Sequence, residues 1–503
     1  MRYLMGVDVG TTSTRAILIS STGGKPVAEG VSPYPMYTPR PAWAEQNPAD
    51  WVRGASKAIR SAIKKADAKN TDIEAVGLTG QMHSSVFLDA KGKVIRPAIL
   101  WCDGRTAAEC DELTRRVRKK RLLDIARNIA LPGFTAPKIL WLARHEPAAY
   151  RRVAKLLVTK DYIRYIMTGV FAGEVSDASG MLLLDVSKRR WSPEILKALK
   201  IPEEWLPLVF ESPEITGKVS RDGARTFGLA EGTPVVGGGG DQAAGAVGNG
   251  IIRQGDVTVS LGTSGVVFAP SRKPPVAGGS TVHAFCHAVP KMWHTMGVML
   301  AAGGSMQWFR NTLRFAKNQS LSYKRINSLA AKSPAGGDGL TFLPYLSGER
   351  TPYNDPQARG AFVGLTLGHD MTHMARAVME GVAFGIKDCA ALMRDAGTTM
   401  RNVYVSGGGA TSDLWCSIIA GVIERPVKRL EVDQGPAMGA ALLAGVGSGV
   451  WPDVKSATAK TLKVRDEIQP VKKDRKVYRE AYRRYRALYP ALAPYFQSGG
   501  KSR

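Results

Sequence analysis

The chain has 503 residues, 44% hydrophobic and 22% charged, the composition of a soluble globular protein too long for one ordinary core. No apolar run reaches the ~18 residues of a membrane span, and the opening MRYLMGVDVG has no signal-peptide pattern, so a cytoplasmic protein is expected. Five scattered cysteines (102, 110, 286, 389, 416) fit reduced thiols there, and the net charge of +26 leaves an anionic partner to be weighed.

Part of that charge lies in residues 115–121, RRVRKKR, and part in residues 472–486. Such runs can bind nucleic acid, but they are more often solvated helix faces. No helix-turn-helix, zinc-knuckle or RNP pattern accompanies them, so no nucleic-acid partner is expected. A basic field also favours anionic small molecules such as nucleotides.

Residues 3–20 read as strand, tight turn, strand, with Tyr3–Val9 as the first strand and residues 16–19 as the return. The turn gathers Asp8, Gly10, Thr11, Thr12 and Ser13. Its amides and hydroxyls would form an anion nest, and Asp8 could hold a Mg²⁺-bound water. An ordinary hairpin with Asx and Ser/Thr turns is the plainer alternative. Residues 75–78 are a further strand, ending in Gln81, Met82, His83, Ser84 and Ser85. Strand ends of an open α/β sheet are where ligands usually sit. Gln81 and His83 could bond sugar hydroxyls and Met82 could pack on the carbon skeleton; a strand-to-loop junction with one solvated His is the alternative. Residues 97–105 give a second such strand end, with Asp103 and Arg105.

Residues 235–250, VVGGGGDQAAGAVGNG, present Asp241 as the first side chain able to act after four glycines. That arrangement suits a general base or a metal–water ligand, or else a helix cap. Residues 256–270 repeat the opening hairpin around Gly262, Thr263, Ser264 and Gly265, which implies a duplicated fold with a phosphate chain held between the halves. His283, His287 and His294 lie in an alternating stretch without HExxH or CxxC, so no zinc site is expected. The Met-rich residues 292–306 read as core, with Gly303 and Gln307 at a nucleotide border. Residues 360–368 read as loop and strand, and 375–393 as an amphipathic helix. Strand 403–405, the Gly407–Gly409 turn and helix 412–423 would lay a nucleoside across bare backbone. Tyr478, Tyr482, Tyr485 and Tyr489 mark a terminal helix packed on the body. The expected class is α/β, two similar domains with a cleft between them, divided as 1–248, 249–455 and a basic helical tail, 456–503.

Together, DVGTTSTR, GGGGDQAAGAVG, SLGTSGVVF, FLPYLSGERTP and SGGGA resemble the FGGY carbohydrate kinases over about residues 3–450. The resemblance implies a duplicated actin/hexokinase-like (ribonuclease H-like) fold that uses ATP and Mg²⁺ on a small sugar. Within the family, GQMHSS, RPAILWCDGR, LPGFTAPKILWL, HAFCHAVPKMWH and SGERTPYNDPQARG are most similar to the kinases of D-xylulose. It further implies Asp241 as general base, Asp8 and Asp241 at the metal through water, and Met82, His83, Asp103 and Gln242 at the sugar. Thr11, Thr12, Ser13 and Arg15 would lie near the transferred phosphoryl, with Gly262 and Thr263 opposite. Gly303, Gln307, Gly408, Gly409 and Asp413 would border ADP. Two departures bear on the sugar: Gln242 replaces an expected Asn, as in glycerol kinases, and Cys102 replaces the Asn of Trp-Asn-Asp. The arginine–glutamate pair of a glycerol kinase is absent at Met82 and His83. The alternatives are a kinase of another pentulose or pentitol, such as ribulose, xylitol or arabitol, and a non-catalytic sensor of ATP and sugar. A homodimer is among the expected assemblies.

Overall fold

The computed structural model describes residues 1–275, 281–313, 321–431, 435–459 and 463–498. The first half is built on a sheet of β1 (Tyr3–Val9), β2 (Ser13–Ser20), β3 (Pro26–Pro33), β4 (Ile73–Gly80), β5 (Ile215–Lys218), β6 (Pro234–Val236) and the short β7 (Gly239–Gly240). Its order is β5-β6-β4-β1-β2-β3, with β7 also on β4. β1 pairs antiparallel with β2 and parallel with β4, so one hairpin and one crossover strand share the central strand. β1 reads YLMGVDV and is buried on both faces except for partial exposure at Asp8. Helix α1 (Pro48–Lys65) covers one face: Asn47 caps it, Pro48 opens it, and Trp51, Ala55, Ile59 and Ala62 line its buried side at helical spacing.

Helices α2 (Thr135–His145) and α3 (Thr159–Thr168) belong to the long insertion between β4 and β5, and α4 (Asp241–Gly248) ends the first half. The second sheet repeats the design with β8 (Gly255–Leu261), β9 (Gly265–Ser271), β10 (His283–Cys286), β11 (Trp293–Met299), β12 (Met400–Ser406), β13 (Val427–Leu430) and β14 (Val464–Ile468). Here β8 is the central strand, antiparallel to β9 and parallel to β12. The duplication expected from the two hairpins is therefore visible strand for strand. The second half also supplies α5 (Gly303–Thr312), α6 (Tyr323–Ala330), α7 (Met371–Asp395), α8 (Asp413–Ile423), α9 (Gly435–Gly447) and α10 (Arg475–Ser498).

The halves are interlocked by α9. It lies in sequence between β13 and β14 of the second sheet, yet it packs on β1 and β4 of the first. Its sequence GPAMGAALLAGVG is apolar all round, as befits a helix buried on every side. Contact with α4 is backbone to backbone: a Cβ at Gly439 would stand 1.8 Å from the carbonyl oxygen of Ala244. A second shared core joins Phe268, Phe285 and Met296 of the second sheet to Phe134, Ile139 and Leu182 of the first-half insertion. The four tyrosines of α10 behave as a packing stripe: Tyr478 and Tyr485 are buried, and Tyr482 and Tyr489 donate to Asp388 (2.5 Å) and Asp355 (2.6 Å). Among the described residues no helix is long and apolar enough to cross a membrane.

Candidate active site

Two carboxylates arrive side by side at the C-terminal ends of parallel strands. Asp8 is the penultimate residue of β1, beside Thr79 of β4, and β7 pairs with the end of β4 through Gly239 and Gly240, delivering Asp241. The glycine loop that makes this possible has Gly238 at φ +73, where a Cβ would lie 1.8 Å from the Leu78 carbonyl oxygen. Two bonds pin the loop from beneath. Arg164 Nη1 donates to the Gly237 carbonyl (2.8 Å), and Gly240 N–H donates to Ser176 Oγ (3.0 Å). Asp241 is the first helical residue of α4, one place past its N-cap Gly240, and among the described residues the one backbone donor to its Oδ1 is the adjacent Gln242 N–H (2.8 Å). That is not the reach of an N-cap, so the cap reading fails on geometry.

Burial pushes the Asp241 carboxyl up to about 6. Asp8 is pushed to about 7, first by burial and then by the negative charge of Asp241, with Arg15 opposing. Asp8 Oδ1 is buried without a hydrogen-bond partner. Two hard oxygen donors, one of them orphaned and each raised by burial, form a set that a divalent cation with its waters would satisfy.

The β1–β2 turn stands over this pair, closed by Gly10 N–H donating to the Ser13 carbonyl (3.1 Å). Thr12 is exposed on the turn, Ser13 is half-buried, and Thr11 Oγ1 donates to Gln81 Oε1 (3.3 Å) while accepting from Trp101 Nε1 (3.0 Å). Arg15 is opposite Asp8 in the ladder, but its guanidinium forks onto Glu29 at 2.9 and 2.5 Å, so its influence on the carboxylates is through space.

Next to Asp241, Met82 packs against Gly240, and His83 follows in a left-handed conformation at φ 68. His83 Nδ1 is 2.7 Å from the Gly180 carbonyl, which can only accept, so Nδ1 carries the proton and Nε2 is left as an acceptor. Burial holds this ring neutral, at about 3. The strained backbone is fixed by Thr135 Oγ1 (3.0 Å) and Lys138 Nζ (2.8 Å), both donating to the His83 carbonyl. A narrow cavity opens here between the halves, lined by His83, Trp101, Gly133, Phe134, His283 and Arg350 among others.

A larger cavity, about 360 Å³, lies on the second half. The β8–β9 turn supplies Gly262 and Thr263 to it, α5 supplies Gly303 and Gln307, and the turn after β12 supplies Gly408 and Gly409. The hairpin is fastened to α5 by Gly303 N–H on the Gly262 carbonyl (2.7 Å) and by Ala302 and Gly304 N–H on the Thr263 carbonyl (2.9 and 3.0 Å). Bare backbone on two sides of a cavity of ligand size suits a planar group and a phosphate chain.

The chain matches the FGGY family of carbohydrate kinases, N-terminal domain, over residues 3–248 and the C-terminal domain of that family over residues 257–448. It belongs to the FGGY family of carbohydrate kinases. As such a kinase it uses ATP and a sugar. It is 42% identical over 446 residues to a xylulose kinase of Escherichia coli, covering 88% of this chain and 90% of that one. Identity to a xylulose kinase of Bacillus subtilis is 37%, with 97% of both chains covered. The structure superposes on xylulose kinase from Rhodospirillum rubrum with a TM-score of 0.90 at 32% identity (99% and 100% covered). Gluconate kinase from Lactobacillus acidophilus gives 0.91 at 26% identity (99% of each chain).

The expected residues fall mainly into two groups, Asp8, Met82, His83 and Asp241 at the strand ends of the first sheet and Gly262, Thr263, Gly303, Gln307, Gly408 and Gly409 around the larger cavity, and two others are turned away from both. Asp103 is closed off: its carboxylate accepts from Ala44 N–H (2.6 Å), Arg105 N–H (3.0 Å) and the Arg105 fork (2.8 and 2.7 Å), with the side chain 0% exposed. It braces the loop that carries Trp101 and has no acceptor free for a sugar. Asp413 is absent from the lining of the larger cavity; its side chain points outward, 85% exposed, and pairs with Arg429 Nη1 at 2.6 Å. Gln242 is half-buried beside Asp241, and Cys102 is exposed next to Asp103. The three histidines pack as core rings against Phe268 and Phe285, with His283 on Asn128 and His287 on the Ile251 carbonyl. Sequence reasoning missed Tyr323 and Asn327 of α6 and Trp415 of α8, which complete the larger cavity. The one signal for the first two was Ser322, whose side chain caps α6 and sets Tyr323 and Asn327 one turn apart.

Proposed function

We propose that this FGGY kinase transfers the γ-phosphoryl of ATP to the terminal hydroxyl of D-xylulose, giving D-xylulose 5-phosphate and ADP for xylose catabolism. One observation supports the reading: Asp8 and Asp241, both with raised proton affinity, share the strand ends with Met82 and His83, and the second half carries a glycine-walled cavity of nucleotide size. A primary alcohol is a weak nucleophile. Asp241 accepts its proton as the bond to phosphorus forms, and a carboxylate that titrates near 6 is still ionised at neutral pH. Phosphoryl transfer asks the protein mainly for positioning and charge stabilisation, which falls to the amides and hydroxyls of the two hairpin turns. Met82 packs on the sugar carbons, and His83 Nε2 accepts from a sugar hydroxyl. Asp8 and Asp241 would hold Mg²⁺ through water; when bound, the ion neutralises the phosphate oxygens. Five free cysteines suit a reducing cytoplasm.

The test is a coupled ADP-release assay with Mg-ATP against D-xylulose, D-ribulose, L-ribulose, xylitol, D-arabitol, glycerol and gluconate, with Asp241→Asn alongside. D-xylulose preference that disappears in the variant is the expected outcome. Preference for another sugar would keep the chemistry and move the substrate, pointing to Gln242 and Cys102. Binding of both ligands without turnover would instead favour a sensor.

A further inference from the structure

The cavity beside His83 contains a charge to which the reaction above assigns no role. Arg350 belongs to the second half, in the loop after the strand Thr341–Leu343, yet it lines this cavity together with His83, Trp101, Gly133 and Phe134 of the first half. Its Nη2 stands 4.0 Å from where a side chain at Gly133 would begin. The neighbouring Glu349 acts on it only through space: Glu349 Oε1 accepts from the backbone N–H of Leu300 (3.0 Å) and of Arg350 itself (2.7 Å), and no hydrogen bond joins the two side chains. Among the described residues the guanidinium has no hydrogen-bond partner and no carboxylate in ion-pair contact, and Glu349 is the one opposite charge that reaches it. Both histidines of the cavity are held neutral by burial, so Arg350 is the one charged side chain among its lining residues. A guanidinium does not lose its proton in a protein, and this one, half-buried at the cavity wall, keeps donors that no protein acceptor takes up. A ligand oxygen in the cavity would take them up.

The order of groups along the site gives the position of that ligand atom. Asp241 takes the hydroxyl to be phosphorylated, Met82 rests on Gly240 beside it, and His83 and then Arg350 lie beyond. We infer that Arg350 is a specificity-determining residue that donates to the trigonal oxygen at the far end of the sugar, the ketone of a pentulose or the carboxylate of a sugar acid. A carbonyl offers two lone pairs in the plane that the guanidinium fork addresses, and a carboxylate offers two oxygens. The hydroxyl of a pentitol at the same carbon is tetrahedral, so it can meet the fork with one lone pair but not with two in its plane, and its proton needs an acceptor elsewhere. The inference rests on the proposed sugar kinase reading and deepens it: it explains selection of ketose over pentitol.

The experiment compares wild type, Arg350→Lys and Arg350→Met on D-xylulose and on xylitol, its C2-reduced counterpart, with KM for ATP and melting temperature recorded for each. Expected for Arg350→Met is a ~10- to 100-fold fall in kcat/KM for D-xylulose, the scale of a hydrogen bond to a charged group, with xylitol changed by less than ~3-fold and KM for ATP unmoved. Arg350→Lys should recover part of the loss. Equal losses on both sugars, or no loss, in variants that melt with wild type would overturn the inference. Should Arg350→Met not fold, the xylulose-to-xylitol ratio of Arg350→Lys decides in the same way. If wild type phosphorylates neither sugar, the kinase reading fails by itself. Calorimetric binding of D-xylulose against xylitol then judges Arg350: a binding contrast that the variant loses supports it, and one that the variant keeps overturns it.

Discussion

Asp8 and Asp241 tie activity to stability at the scale of single residues. Both carboxyls bind protons more tightly folded than unfolded, so the native state holds more protons than the unfolded chain between about pH 4 and about pH 7. Stability is therefore lost, not gained, as pH rises through that window. Asp241→Asn should raise the melting temperature at pH 8, show no such gain at pH 4, and lower turnover ~10²- to 10⁴-fold. A double-digit loss of melting temperature in Asp241→Ala would instead mark the carboxylate as a structural group. Wild-type kcat/KM should fall on the acid side with apparent pKa values that belong to the pair and not to either residue. Lys138 makes a second residue-scale case. Its ammonium donates to the His83 carbonyl and to that of Gly133 at 2.8 Å each. Lys138→Met leaves two buried carbonyls without that donor. It should cost about 1–3 kcal/mol of stability and raise KM for the sugar while leaving KM for ATP near wild type, a split that steady-state kinetics reads directly.

At the scale of elements, the bare backbone after β12 is open to a clean test. A Cβ at Gly408 meets nothing within 4 Å, so Gly408→Ala should melt with wild type. Because Gly408 lines the larger cavity, the added methyl should raise KM for ATP several-fold and leave KM for the sugar unchanged. The glycine hairpins and the strand–glycine–helix unit were legible because their turns declare themselves locally: residues of one short segment make both the fold and the site. Asp103 and Asp413 misled for the opposite reason. A carboxylate at a strand end or helix start has the same local sequence whether it faces ligand or an arginine; the arginine that decides for Asp413 lies 16 residues on, at Arg429. Tyr323, Asn327 and Arg350 went unnoticed as site residues because only the tertiary fold brings α6 and the Gly-Glu-Arg loop to the cavities.

For the molecule as a whole, duplication was readable from two hairpins of one design, whereas the exchange of α9 between halves was not, since nothing in GPAMGAALLAGVG says which sheet it covers. That exchange bears on how far the gene can be cut. The family's two sequence regions meet between residues 248 and 257, which invites treating them as separable cassettes. A polypeptide stopping at Gly248 would carry β1 and β4 with one face stripped of α9 and would expose Ala75, Val236 and Val247 to water. Such a fragment is expected to aggregate when expressed alone and to be rescued by co-expression of the remainder of the chain. Fragment solubility with and without that partner is the measurement. Swapping C-terminal cassettes between relatives should succeed only where α9 travels with the α4 it was fitted to, so the unit of inheritance in a chimera is the α4–α9 contact and not the sequence half.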